Sequence, residues 1–326
     1  MESTYVDKNY VYAVAAIRSE ELKLLNASFL DQLIQAKTED ECMRLLSEKG
    51  WGREDTKTPD EMLSAEREKT WETVTQFVPD RRVFDVFLLE NDYNNLKAAI
   101  KESVMEFDYP GIYINESTVP YETVRTAIKE RDYDALPDDM QEIAKEAHDT
   151  FLHTKDGQLC DIMVDKACLK AILKAGKESG NEFLEMYSEL IVAGADIKIA
   201  VRAAGCGKDK EFILSALAEC DTVEINALAN AAMQGTDAVC SYLATTDYAD
   251  AADRLKESPQ AFECWCDDLI ITRMRSELYH SFGLGPIAAY VLARENEIKS
   301  VRIILSAKLN GFSEEIIRER VRETYV

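Results

Sequence analysis

The sequence predicts an all-α protein made of three similar helical-bundle lobes. Hydrophobic residues make up 46% of the 326 residues, whereas the helix breakers glycine and proline occur 13 and 7 times. A chain so rich in apolar residues buries a substantial core and is not disordered. Runs typical of β-strands are confined to 83–89 and 112–114, and the first fits better as the beginning of a helix. Three lobes suit the length, because a third of the chain is close to the commonest domain size.

A three-residue motif supports this division. Asn/Asp/Glu, Leu/Ile and Lys follow one another at 95–97, 196–198 and 297–299, so successive copies begin 101 residues apart. Apolar residues three, four or seven positions apart give each copy one buried helical face. These residues are Leu89, Leu96 and Ile100; Leu190, Ile197 and Val201; and Val291, Ile298, Val301 and Leu305.

Such a motif also arises by chance in an acidic, helix-rich protein. Equal spacing together with a shared apolar face nevertheless favours a repeated unit. We therefore predict helical repeats at 1–113, 114–220 and 221–326, and we call the three motif-bearing helices the signature helices.

The chain before the first signature helix is predicted to form short helices. A helix over 10–25 begins with an almost wholly apolar stretch, so we expect it to be buried on most sides. A second helix, over 28–36, places its large apolar residues on one face. Thr38 can cap a third helix, whose first turn holds three acidic residues where the helix dipole favours negative charge.

A pair of short helices joined by a polar turn returns at 121–136 and 225–243. Each predicted repeat thus has an early hairpin and a late signature helix, with linkers near 51–59, 108–120 and 220–222. Asn310 and Gly311 predict a C-terminal cap for the third signature helix, as Gly207 does for the second.

Lys208, which follows Gly207, does not indicate a phosphate-binding loop. A Walker motif requires a glycine five residues before the second glycine, where this sequence has Arg202. It also requires Ser or Thr after the lysine, where Asp209 stands.

The formal net charge of −23 bears on the choice of partners. Nucleic acids and anionic lipids are disfavoured, because binding to phosphates requires clustered Lys and Arg. Acidity of this kind serves solubility or attracts a basic partner. Residues 294–326 are nearly balanced in charge, so the acidic excess lies earlier, for instance across 130–165.

No catalytic, cofactor-binding or metal-binding residue is predicted. The eight cysteines contain no CxxC pair, which is typical of a reducing cytosol, and Cys264 and Cys266 would point apart on a helix. His148 and His153 are five residues apart and miss the i, i+4 spacing of a helical metal pair. No signal peptide is evident, and no apolar segment reaches the roughly 18–20 residues that span a bilayer.

Three stretches carry a resemblance to a known family. They are Tyr-Val-Tyr-Ala-Val-Ala-Ala-Ile-Arg at 10–18, Glu-Asn-Glu-Ile-Lys-Ser-Val-Arg-Ile at 295–303 and Lys-Leu-Asn-Gly at 308–311. They resemble the C subunit of the archaeal and bacterial V/A-type rotary ATPases, the relative of the d subunit of the eukaryotic V-ATPase. The likeness extends over nearly the whole chain. The sequence departs from the family at Gly285, where many relatives have an acidic residue, and at Asp196, where asparagine is common.

The resemblance implies a pseudo-threefold funnel of helices without catalytic activity. Such a protein would sit on the cytoplasmic end of a membrane rotor ring, one copy per complex, and receive the foot of the central shaft. It would be a peripheral central-stalk component on the inner face of the cell membrane. Torque would pass through it during ATP-driven H⁺ or Na⁺ transport, or in reverse during ATP synthesis.

We nominate six residues for a symmetric partner interface: Asn95, Lys97, Asp196, Lys198, Glu297 and Lys299. The alternative is that they flank buried apolar residues and form caps and ion pairs within each lobe. A shaft without threefold symmetry favours that alternative. Two other classes of protein remain open, an unrecognised helical hydrolase and a helical-repeat scaffold, of which the scaffold would form an extended solenoid.

Overall fold

The computed structural model describes residues 10–78, 80–105 and 111–326. Within these residues it is all helical and contains no strand, which confirms the predicted fold class. The β-like run at 83–89 is also helical. It contains most of a 3₁₀ helix (Arg81–Phe87) and the first residue of the first signature helix. The predicted linker at 108–120 lies partly outside the described residues.

The described α-helices, in chain order, are α1 (Val11–Glu21), α2 (Ala27–Gln35), α3 (Glu39–Glu48), α4 (Pro59–Phe77), α5 (Leu89–Met105), α6 (Tyr121–Glu130), α7 (Asp138–Thr154), α8 (Gly157–Glu178), α9 (Glu182–Cys206), α10 (Lys210–Ala216), α11 (Ile225–Gln234), α12 (Thr236–Leu243), α13 (Ala251–Glu257), α14 (Pro259–Met274), α15 (Gly285–Leu309) and α16 (Glu314–Arg318). The signature helices are α5, α9 and α15. The hairpin predicted at 225–243 is observed as α11 with α12. The pair of short helices predicted at 121–136 is only partly observed, because α6 is followed there by a 3₁₀ helix (Tyr133–Ala135) and the next α-helix, α7, begins at Asp138.

Helix ends follow the capping residues of the sequence. The Thr38 hydroxyl accepts a hydrogen bond from the Glu41 N–H at 3.2 Å and starts α3. Gly207 ends α9 in the left-handed conformation, with φ of 63°. Asp209 then caps α10 by accepting from the Phe212 N–H at 2.8 Å. The glycine-lysine pair at 207–208 is therefore a helix-to-helix turn.

The chain forms two compact units, which we describe separately. One contains the described parts of 1–81 and 253–326, and the other contains those of 82–252. The predicted division into repeats at 1–113, 114–220 and 221–326 stays a prediction, as does their arrangement as a funnel.

In the unit formed by the chain's two ends, α15 packs against α2, α3 and α4. Leu33 and Leu46 from the short helices meet Val301 and Ile304 of α15 in one core, and all four are fully buried. Each fully buried aliphatic side chain of this kind contributes about 1.5–3 kcal/mol relative to an exposed one. The last signature helix is thus held by the first helices of the chain.

In the unit formed by 82–252, α5 packs against helices that follow it, whereas α9 packs against both the preceding and the following helices. α5 contacts α6, α7 and α8, while α9 contacts α8, α11 and α12. Each signature helix therefore packs against two helices that are successive in the chain. These are α6 and α7 for α5, α11 and α12 for α9, and α2 and α3, at the beginning of the chain, for α15. The predicted repeat boundaries grouped each signature helix with the hairpin before it.

None of the described helices combines the length and apolarity that crossing a bilayer requires.

Candidate partner-binding site

The first residues of the three motifs occupy the same structural position. Asn95 and Asp196 are fully buried and Glu297 is 5% exposed, and each is followed by a buried Leu or Ile of the helix face. A buried polar side chain requires a hydrogen-bond partner, since an unpaired one costs free energy. In all three cases that partner is the backbone of a segment preceding a short hairpin. We call this contact a clasp.

The first clasp joins α5 to the segment before α6. Asn95 accepts from the Ile114 N–H at 2.8 Å through Oδ1 and donates to the Ile114 carbonyl at 2.9 Å through Nδ2. One turn earlier, Asp92 accepts from the Thr118 N–H at 2.8 Å and from the Val119 N–H at 3.1 Å. An amide suits residue 95, because it supplies both a donor and an acceptor.

The second clasp joins α9 to the segment before α11. Asp196 accepts from the Ala218 N–H at 3.0 Å through Oδ1, but its Oδ2 is buried without a hydrogen-bond partner among the described residues. Burial raises the pKa of Asp196 to about 7, while the Ala218 N–H and the Lys166 ammonium act in the opposite direction. Two turns earlier, Glu189 accepts from the N–H and the hydroxyl of Thr222, each at 2.7 Å.

The third clasp joins α15 to the segment before α2. Glu297 accepts from the Leu25 N–H and, at 2.6 Å, from the Arg294 guanidinium. Burial raises the pKa of Glu297, and Arg294 and the Leu25 N–H oppose that rise. Arg294 also pairs with buried Glu66 and lies 5.2 Å from the centre of the Trp51 ring.

Each clasp fixes the polar residue of its signature helix relative to a connecting segment. A side chain that must reach one backbone N–H from the middle of a helix cannot move along that helix without losing its bond. Three such contacts preserve the position of the polar residue, while its identity varies among asparagine, aspartate and glutamate with the local partners.

The three lysines of the motif do not share one role. The Lys97 ammonium lies 2.5 Å from Asp165 of α8, and Lys299 pairs with Asp267 of α14. Lys198 is half-buried, and its side chain forms no hydrogen bond or ion pair within the described residues. A common role at a symmetric interface would require the three lysines to have similar exposure and similar neighbours. Their neighbours differ.

Partner binding by the six nominated residues stays a prediction. Asn95, Asp196 and Glu297 make internal contacts and expose almost no surface to a partner. The lysines keep part of their surface, since the Lys97 side chain is 21% exposed and that of Lys299 48%. Any symmetric interface at the motif therefore has to be formed by the lysines.

Sequence reasoning missed the buried ion network around Arg294. Its guanidinium joins Glu297 to Glu66 of α4, and Lys69 connects Glu66 to the Gly52 carbonyl. The available signal was an arginine directly after the apolar run 286–293, where a buried helix face predicts an apolar residue. A charge in that position requires a carboxylate partner.

The remaining polar candidates have structural partners. His148 is buried, with Nδ1 2.9 Å from the Tyr133 hydroxyl and Nε2 3.1 Å from the Ser103 hydroxyl, and burial lowers its pKa. All eight cysteines are free thiols. In the described part of the chain, no three His, Cys, Asp or Glu side chains are grouped so that they could hold a metal ion.

The chain is similar to rotary ATPase subunits over almost its whole length. It is 22% identical to the C subunit of the V-type sodium ATPase of Enterococcus hirae over 323 residues, which cover 95% of this chain and 97% of the relative. Its identity to the C subunit of the A-type ATP synthase of Methanocaldococcus jannaschii is also 22%, over 95% of this chain and 85% of the relative. The C subunit of the V-type ATP synthase of Thermus thermophilus is again 22% identical, over 96% and 98% of the two chains.

The sequence model of the ATP synthase (C/AC39) subunit family matches residues 13–320, which include all three signature helices and all three clasps. The chain therefore belongs to the ATP synthase (C/AC39) subunit family, as the C subunit of a V/A-type ATPase.

Proposed function

We propose that this chain is the non-catalytic C subunit of a rotary V/A-type ATPase and couples the central shaft to the membrane rotor ring. One copy would sit on the inner face of the cell membrane as a pseudo-threefold funnel. Rotation driven by ATP hydrolysis would pass through it to move H⁺ or Na⁺, and the reverse rotation would support ATP synthesis. The observation that carries the proposal is the family match over residues 13–320.

The internal contacts suit a part that transmits torque. A compliant coupler stores rotation as strain, whereas close-packed helices resist deformation. The signature helices α9 and α15 each have 25 residues, equivalent to about 38 Å of helix. The clasps and the Arg294 network fix these helices to their neighbouring segments through buried hydrogen bonds, which would reduce sliding under load.

The charge suits a partner with a basic end. With a formal net charge of −23, the chain attracts a positively charged shaft foot over a distance set by the ionic strength. We expect the association with the shaft to weaken as salt is raised. An affinity that does not change with salt would contradict an electrostatic shaft site.

The test is an omission experiment on the reconstituted complex in vesicles. Without this chain, the catalytic head should still hydrolyse ATP, but ATP-driven ion uptake should be lost, and adding the chain back should restore it. Co-purification with the shaft and the ring is the accompanying binding measurement. Ion uptake that is unaffected by omission, or ATP turnover by the isolated chain, would exclude the coupling role.

A further inference from the structure

A groove at the end of α15 differs in charge from the rest of this acidic chain. Its volume is about 310 Å³, and it lies among α14, α15 and the residues following α16. We call it the arginine groove and define it by Arg302, Ile303, Ala307, Phe312 and Arg320. It lies entirely within the unit formed by the chain's two ends.

Two of its guanidinium groups have no carboxylate partner among the described residues. Arg302 is exposed, and its side chain makes no ion pair or hydrogen bond with any residue that the structure describes. Arg320 is also exposed, and its guanidinium lies over the Phe312 ring, 5.5 Å from the ring centre. By contrast, Arg322 beside them is committed to Asp267, at 2.7 Å. Glu263 of α14 also lines the groove, so three arginines face one carboxylate there. The lining is therefore net positive, although the chain as a whole carries a large acidic excess.

The floor between these arginines is apolar. Ala307 is buried and Ile303 half-buried, while Phe312 is 43% exposed. Outside the groove, Leu309 at the end of α15 and Ile316 of α16 are 70% and 40% exposed. Arginine and aromatic side chains around a concave apolar floor are the residue types that dominate protein interfaces.

The chemistry of the groove specifies its occupant. A guanidinium binds a carboxylate through two parallel N–H donors, and a large apolar side chain would cover Phe312 and Ile303. A flat anionic membrane surface is disfavoured, because it would bring many negative charges towards a chain with a net charge of −23. A short acidic segment avoids most of that repulsion, since the screening length at physiological salt is about 8 Å.

We propose that the arginine groove docks a segment of another protein subunit in which one or two carboxylates stand next to a large apolar side chain. The identification of that protein as a subunit of the same rotary complex rests on the proposed function. The groove and the proposed shaft site would therefore bind different partner surfaces. The positively charged groove binds an acidic segment, whereas the acidic shaft site binds a basic one.

Photo-cross-linking in the assembled complex tests the occupant. p-Benzoylphenylalanine is placed at position 312 and, as a control, at position 282, where Phe282 is 58% exposed outside the groove. We expect position 312, and not 282, to cross-link a peptide of another subunit that contains Asp or Glu beside an apolar residue. A cross-link to lipid or to a segment without carboxylates, or no cross-link to a subunit, would overturn the proposal.

Charge reversal tests the role of the arginines. Combining Arg302→Glu with Arg320→Glu should weaken binding to the remainder of the complex about tenfold at physiological salt, because two ion pairs become repulsions. Arg273→Glu is the matched control, since Arg273 is also exposed and has no ion pair among the described residues. Circular dichroism verifies folding. Equal effects of the double variant and the control would reject the groove.

The two proposals fail in different ways. A wild-type chain that does not join the shaft and ring contradicts the proposed function. In that case the groove is tested by peptide binding. Overlapping 12-residue peptides that cover the other subunits are probed with the wild-type chain and with the double variant. Acidic, apolar peptides that bind only the wild type support the groove, whereas binding that is independent of the arginines refutes it.

Discussion

Replacing Asp196 by asparagine should stabilise the unit formed by 82–252 in a pH-dependent way. Asp196 is fully buried, and its Oδ2 has no partner within the described residues, whereas the equivalent Asn95 uses both of its side-chain polar atoms. In Asp196→Asn, an amide of the same shape replaces the carboxyl group and keeps an oxygen that can accept from the Ala218 N–H. The variant also removes a carboxyl group that burial penalises when it ionises.

The size of the effect follows from the raised pKa. Folding raises the pKa of Asp196 from 3.8 to about 7. The stability that this group contributes is therefore present below pH 3.8 and is lost as pH rises through about 7. A rise from 3.8 to about 7 at about 1.4 kcal/mol per pKa unit amounts to about 4 kcal/mol. The variant should resemble the wild type near pH 4 and exceed its free energy of unfolding by up to about 4 kcal/mol at pH 8.

The assay is urea unfolding at pH 4, 6 and 8, followed by far-UV circular dichroism. The three tryptophans, at positions 51, 71 and 265, all belong to the other unit, so their fluorescence reports that unit separately. Hydrogen exchange of the Ala218 amide measures the clasp directly, because its N–H donates to residue 196. Asp250→Asn serves as the control, since Asp250 is an exposed carboxylate of the same unit.

Two results would refute this reasoning. One is a stability difference between Asp196→Asn and wild type that stays constant from pH 4 to pH 8, since ionisation of a buried carboxyl group makes it grow with pH. The other is a loss of stability at pH 8, which would mean that the ionised carboxylate is better accommodated than the amide. An equal gain in Asp250→Asn would attribute the effect to net charge and not to the clasp.

Three further variants test the packing. Arg294→Met leaves buried Glu297 without a cation and leaves buried Glu66 with Lys69 alone. We therefore expect tryptophan fluorescence to show a loss of about 3–5 kcal/mol in unfolding free energy, and a change below about 1 kcal/mol would contradict the network. Gly176→Ala should lower the free energy of unfolding in urea by about 1–3 kcal/mol, because its Cβ would lie 2.0 Å from the Ser188 hydroxyl oxygen. Gly205→Ala meets open space and should raise the free energy of unfolding by up to about 1 kcal/mol through its higher helix propensity. Equal behaviour of these two glycines would argue against close α8–α9 packing. Asn95→Ala should lose about 1–3 kcal/mol and speed hydrogen exchange at the Ile114 amide, and unchanged exchange would deny the clasp.

Local signals in the sequence predicted the helices well. Thr38 and Gly207 cap helices as expected, because a cap depends only on residues within a few positions. The apolar spacing of the signature helices identified the buried Leu96, Ile197 and Ile298. A resemblance spread over the whole chain led to the family, which the comparisons then showed.

The candidate site was less predictable. The motif was found at the right positions, but the sequence did not reveal that its first residues face inwards to connecting segments. Glu297 meets Leu25, which lies 272 positions earlier in the chain. No local pattern encodes a bond across that distance, and the partners of Arg294 were hidden for the same reason.

The sequence by itself determined the all-helical fold, the helix ends and the three equivalent polar positions, because periodicity and capping act over one or two helical turns. Only the tertiary structure decided which hairpin each signature helix joins. It also decided that Asn95 makes two hydrogen bonds where Asp196 makes one, and that Arg302 and Arg320 lie beside an apolar floor with no carboxylate partner among the described residues. These outcomes depend on burial and on contacts between distant segments, since a polar group's environment is set by what the folded chain packs against it.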